Sequence, residues 1–264
     1  MPFDAPFMQR ALVEALLLAA LAGVLGSWIV LRRLAFFTHG VGTAAFPGLV
    51  VAGPAGVAPQ LTGLAAAALY AAGVEWLGRT RRVAVDAATG LALVGALAVG
   101  VILASDVFES GAGVDRLLFG SLIGLTDRDL WLTAAALAAA LVLELGLRRS
   151  WLAQGFDPLT ARALGVRATL ADALLLLAVV AACVVALDAV GALLVTSVLV
   201  IPAATVRLVA PSVAALQIGS ALLAALESVA GLWLAYDLDV GPGPAIAVLG
   251  GGVFAVVATI RRWV

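Results

Sequence analysis

Charge is scarce in this chain: only 12% of its 264 residues are charged, where soluble domains carry roughly 25%. Hydrophobic residues make up 64%. That balance excludes an ordinary soluble domain and points to a polytopic membrane protein. Lysine is missing, so all fifteen basic residues are arginine, and a net charge of -1 gives no basic field for nucleic acid. The single cysteine, Cys183, lies in an apolar run and cannot close an internal disulfide, so thiols say nothing of the compartment. Histidine is also single. One imidazole and few intramembrane acids leave no nucleophile, base and orienting partner, and neither a Gly-x-Ser-x-Gly nor a His-Glu-x-x-His motif occurs. The chain therefore reads as a non-enzyme. The Gly-x-x-x-x-Gly-Lys-Ser/Thr loop is absent too, so any work driven by ATP must come from another subunit.

Long apolar runs are what the chain has instead. A bilayer core of ~30 Å needs about 20 apolar residues per helix. The first run, 11–31, is too long for a signal-peptide core and has no small-residue cleavage pattern behind it, so it counts as a span. Further runs cover 58–77, 87–104, 130–147, 168–187, 190–209, 213–236 and 244–260. The stretch 41–52 is short, Gly-rich and interrupted by Pro47 and Gly48, and reads as a short or broken helix. Broken backbone at membrane depth requires cover by protein or a water-filled cavity. Residues 117–125 are too few to span and read as a re-entrant half-helix. The expected fold is an all-α integral membrane protein, one domain over 1–264, with nine crossings; eight plus a re-entrant segment is the alternative.

Arginine placement orients these crossings, because basic residues stay cytoplasmic. With nine, every arginine except Arg10, Arg116 and Arg128 falls on one side. The amino end is then outside and the carboxyl end cytoplasmic. One sizeable polar island, 151–166, lies on the cytoplasmic side with Arg148 and Arg149 before it and Arg167 after it. It holds Phe156, a helix-starting pair at Asp157 and Pro158, Arg162, and a stop at Gly165. Those are the features of a docking surface for a soluble partner.

Ionisable groups inside apolar runs are functional candidates by default. His39 enters the second crossing with Thr43 one turn further on the same face. Imidazole ligates first-row metals; the alternative is an interfacial side chain anchoring a helix end. Glu14, Asp172 and Glu227 are too costly to face lipid. Hydrogen bonds between helices account for Glu14 and Asp172, whereas Glu227, deep in its run, is the better pore candidate. Met8 and Cys183 read as packing residues; Gly191, Ala192, Ser197, Ala203 and Ala204 suit close helix contact or a channel wall.

Several stretches, in order along nearly the whole chain, resemble the permease subunits of zinc- and manganese-type ABC importers. They are Leu31-Arg32-Arg33-Leu34-Ala35-Phe36, Ala44-Ala45-Phe46-Pro47-Gly48 and Leu117-Leu118-Phe119-Gly120-Ser121-Leu122-Ile123-Gly124. Stronger are Phe156-Asp157 with Ala161-Arg162-Ala163-Leu164-Gly165-Val166, and Val190-Gly191-Ala192-Leu193-Leu194-Val195 through Ile201-Pro202-Ala203-Ala204-Thr205. Asp239 with Pro242 and Gly243 resembles the family's last turn.

The resemblance implies a type II importer-like permease, a homodimer with its pore at the subunit interface, in a bacterial inner membrane. It implies two cytoplasmic ATPases and an extracytoplasmic metal-binding protein as partners, and assigns ATPase coupling to Phe156, Asp157, Arg162 and Gly165. No permanently bound cofactor is expected; the cargo would be zinc or manganese, with His39, Thr43 and Glu227 as pathway candidates and His39 as a metal ligand. Where the family reads Gly-Asp-Ala-Leu-Ser-His-Ala, this chain has Thr38-His39-Gly40-Val41-Gly42-Thr43-Ala44, so His39 stands at the aspartate position and Thr43 at the histidine position. That departure leaves two rivals open. One is the same architecture carrying a non-metal solute or a metal chelate; the other is an ion-coupled secondary transporter with Asp172 and Glu227 as relay.

Overall fold

Proline and short polar residues mark where the helices begin. The computed structural model describes residues 5–79, 85–107, 118, 120, 124–156, 168–192 and 194–263, and among these all regular structure is helical. Pro6, in the first turn where its missing N–H costs nothing, opens α1 (Pro6–Leu31), which widens into a π-type turn at Ala22–Gly26. α2 is Ala35–Ala55 and α3 Pro59–Arg79; α4 is Val85–Ile102, prolonged by a second wide turn at Leu103–Val107. α5 (Asp127–Phe156) starts with a capping box, Asp129 Oδ2 accepting from the amide and hydroxyl of Thr126 at 2.9 and 2.7 Å. α6 (Ala168–Val190), α7 (Val195–Arg207), α8 (Val213–Leu238) and α9 (Pro242–Trp263) complete nine helices among the described residues. Ser212 caps α8 by accepting from the Ala215 amide at 3.2 Å.

Nine helices match the expected nine crossings, and the first, third, fourth, sixth, eighth and ninth stand close to the predicted bounds. Six are by themselves long and apolar enough to cross a membrane. Three differences have physical causes. The second crossing is not broken: α2 runs unbroken for 21 residues with Pro47 and Pro54 inside it. A mid-helix proline costs about 3 kcal/mol. Here α3, α4, α6 and α7 all pack on α2, and that packing offsets it. The break lies instead before α7, where Gly191 adopts φ 78° and the helix restarts only at Val195, leaving 13 residues up to Arg207. At 1.5 Å per residue α7 is roughly 20 Å long, short of a full hydrocarbon crossing. Finally, α5 extends through Trp151 to Phe156, so the first six residues of the polar island continue a membrane helix.

The core is built on α1, α2, α6 and α7. Leu18, Leu21, Leu25, Trp28 and Ile29 of α1, Phe46 of α2, Leu175 and Leu187 of α6 and Leu199 of α7 are all fully buried. α5 and α9 lie at the periphery with apolar side chains outward, as Leu145 at 85% and Val248 at 77% exposure show. Such faces suit lipid or a second subunit. Most of the re-entrant candidate lies outside the described residues, but Gly120 does not. A Cβ there would meet the Ala189 carbonyl and the Gly191 amide at 2.5 Å, so this stretch presses on the α6–α7 break.

Candidate functional site

His39 sits in the second turn of α2, half-buried, with Nδ1 3.3 Å from the Thr196 hydroxyl on the first turn of α7. This contact crosses the break. Gly42, one turn along α2, lies against the Ala192 carbonyl so closely that a Cβ would come within 3.0 Å, which only glycine avoids. The turn itself is sealed: Ala189, Val190, Ala192 and Val195 are buried, and Ser197 Oγ donates to the Leu194 carbonyl at 2.5 Å. The imidazole and the Thr196 hydroxyl thus meet where α2 passes the break, with the Ala192 carbonyl against α2 one turn along. Irregular backbone at such depth is tolerated only under protein or along a cavity, and it is how discontinuous helices present oxygen to ions.

The sequence-predicted residues divide. Thr43 is buried and its hydroxyl donates to the His39 carbonyl at 3.0 Å, so it bonds its own helix rather than the imidazole. Thr196 takes the place expected of Thr43. The only sequence signal for it was its position just behind the Gly191 break. Glu227 of α8 is buried between α7 and α9. A Cβ at Gly250 would come 3.0 Å from Glu227 Oε2 and 3.5 Å from Ile201, which places the carboxylate among three helices. Its Oε1 is buried and lacks a hydrogen-bond partner among the described residues. An orphaned carboxylate oxygen in a protein interior costs about 1–3 kcal/mol or more, so it marks a functional position more than a packing one.

Glu14 and Asp172 make hydrogen bonds between helices, as expected. Glu14 accepts from Thr133 at 2.7 Å, joining α1 to α5. Asp172 accepts from Arg32 at 2.6 Å, joining the end of α1 to the first turns of α6. Asp172 is thus engaged by an arginine at the end of α1, whereas Glu227 lies among α7, α8 and α9. Sequence reasoning missed Glu144, which collects donors from three helices: Trp28 Nε1 of α1, Gln217 Nε2 of α8 at 2.9 Å, and Arg148 Nε of α5 itself at 3.7 Å. Beside it Trp28 and Trp151 meet edge to face, with centroids 5.4 Å apart.

Of the coupling candidates, Phe156 ends α5 with 73% of its surface exposed. Asp157, Arg162 and Gly165 lie outside the described residues. Among the described residues no three His, Cys, Asp or Glu side chains come together as a metal cluster.

Comparison with known proteins places this architecture. The model of the ABC 3 transport family matches residues 4–261. The manganese import system permease protein ScaB of Streptococcus parasanguinis is 30% identical over 252 residues, covering 96% of this chain and 89% of that protein. The manganese transport system membrane protein MntC of Halalkalibacterium halodurans is 28% identical over 250 residues, covering 95% and 86%. The solved structure of PsaBC from Streptococcus pneumoniae in complex with Fab matches with a TM-score of 0.87 at 28% identity, over 96% of this chain and 91% of that chain.

Proposed function

The chain belongs to the ABC 3 transport family, and from that premise we propose that it is the membrane permease of an importer for a divalent metal ion, driven by a separate cytoplasmic ATPase. The observation that carries the reading is the meeting of His39 with Thr196 across the α6–α7 break, in a chain whose relatives are named for manganese transport. Imidazole accepts zinc and manganese alike as first-row metals, and the relatives named for manganese transport make manganese the first ion to test. A site without a cluster of charged ligands holds its ion weakly, and weak holding is what passage requires. Glu227 supplies a second polar station among α7, α8 and α9, with one carboxylate oxygen that has no hydrogen-bond partner among the described residues.

Two copies of the chain would enclose the pore, with an extracytoplasmic metal-binding protein delivering the ion. Arginine distribution supports an outside amino end and a cytoplasmic carboxyl end in a bacterial inner membrane. The segment 151–166 would dock the ATPase, with exposed Phe156 at the end of α5 as its first contact. Arg162→Glu, or Asp157→Arg, is expected to lower uptake by about tenfold through lost docking energy without unfolding the bundle. ATPase co-purification and uptake in vesicles check this, and normal transport by such a variant removes the docking role.

The function itself is tested by ATP-dependent uptake of radiolabelled manganese and zinc into vesicles holding the permease with its ATPase. Uptake of a chelate in preference to either free ion would transfer the reading to a chelate carrier. Glu227→Gln keeps the shape and removes the charge; uptake is expected to fall about fivefold with thermal stability unchanged or raised, because the buried charge is costly in the empty protein. Unchanged uptake would return Glu227 to packing.

A further inference from the structure

The two ends of the docking segment come back to one place in the bundle, the carboxyl end of α1. On the incoming side, Trp151 of α5 is fully buried edge-on against Trp28, and Gly155, one turn later, lies under the Arg32 side chain, a Cβ there being 3.3 Å from Arg32 Cδ. On the outgoing side, Asp172 accepts from Arg32 Nη2 at 2.6 Å. Trp151 ties the two sides together, donating from Nε1 to the Ala171 carbonyl at 2.8 Å. Arg32 is therefore held between the helix that enters the segment and the helix that leaves it.

The chain beyond Arg32 cannot absorb a displacement softly. Arg33 takes φ 56°, with its amide on the Val30 carbonyl at 3.3 Å and the Leu34 amide on Ile29 at 2.8 Å, the pattern of a Schellman turn. Glycine normally fills that left-handed position, and a side chain there costs about 1 kcal/mol or more. α2 starts at once, and His39 follows within two turns. A shift of Arg32 thus moves the base of the helix that carries His39 against Thr196. The Arg32 side chain is only 17% exposed, so its ion pair is screened less than a surface pair. Its Nη1 is buried without a partner among the described residues, which leaves a donor available for a second arrangement.

We infer that the Arg32–Asp172 pair is the positioning element that converts movement of the ATPase-docking segment into movement of α2 and its histidine; this rests on the ATP-driven permease reading above. Arg32 touches neither ion nor ATPase in this role. It sets where α2 stands.

The test uses the permease with its ATPase in vesicles, measuring manganese transported and ATP hydrolysed in the same sample. Asp172→Asn and Arg32→Gln are expected to co-purify with the ATPase and hydrolyse ATP within about twofold of the parent, while ions moved per ATP fall about tenfold, within the usual range of coupling between linked sites. Exchanging the charges, Arg32→Asp with Asp172→Arg, is expected to recover most of that ratio. Should Asp172→Asn fail to assemble, Arg32→Lys, which keeps the charge but loses the planar fork, is expected to give an intermediate ratio. An unchanged ratio in the single variants, or hydrolysis falling in step with transport, overturns the inference. A parent protein that shows no ATP-dependent uptake of any cargo instead overturns the permease reading, and the two failures are told apart by that control.

Discussion

His39→Ala is expected to cut ATP-dependent manganese uptake by about tenfold or more, equivalent to at least 1.4 kcal/mol, with the ATPase still bound and the thermal midpoint nearly unchanged. The side chain is half-buried, and its Nδ1 lies 3.3 Å from the Thr196 hydroxyl, a weak hydrogen bond at that length. Little stability should therefore be lost. What is lost is the one nitrogen donor facing the break between α6 and α7. His39→Gln, which keeps a polar tip, should restore part of the uptake, and Thr196→Val should lower it without touching His39's helix. Uptake by His39→Ala equal to the parent would return the histidine to the role of a helix anchor. Measuring uptake alongside ATPase co-purification separates a pathway effect from an assembly effect.

Trp151→Ala is expected to destabilise the protein by about 3 kcal/mol or more, the usual cost of emptying a buried aromatic site. Trp151 is fully buried, packs edge-on against Trp28 and donates to the Ala171 carbonyl at 2.8 Å. Alanine removes the ring, the contact and the bond together. Trp151→Phe keeps most of the volume and loses the bond, so it should cost about 1 kcal/mol. Thermal unfolding in detergent, followed by fluorescence-detected size exclusion, reads both. A melting point for Trp151→Ala equal to the parent would show that α5 and α6 do not depend on this contact. Because the bond spans the ends of the docking segment, Trp151→Phe should also lower uptake more than its small stability loss suggests.

Much of this molecule was legible in the one-dimensional pattern. Nine apolar runs predicted nine helices, and nine stand among the described residues, because bilayer thickness acts on composition directly. Glu14 and Asp172 were read as helix-packing acids from the cost of burying charge, and each meets a donor on a neighbouring helix. The errors came where packing overrides local rules. Pro47 reads as a break, but α2, packed by neighbouring helices, continues through it. Gly191 reads as a small packing residue, yet its left-handed backbone makes the break. Thr43 was placed beside His39 by helical spacing, and spacing cannot show that its hydroxyl turns back to the His39 carbonyl.

The sequence alone determined that this chain is a bundle of apolar helices suited to a membrane and that its ionisable residues are few. These follow from transfer energies, which depend on residue type and run length. Only the tertiary structure decided that His39 meets Thr196, that Glu144 gathers donors from α1, α5 and α8, and that Arg32 stands between Gly155 and Asp172. Most of those contacts join helices far apart in the chain, His39 to Thr196 and Arg32 to Asp172 each across more than a hundred residues, and no local preference encodes them. They exist because each polar group buried in the bundle needs a partner, and the fold decides which one is in reach.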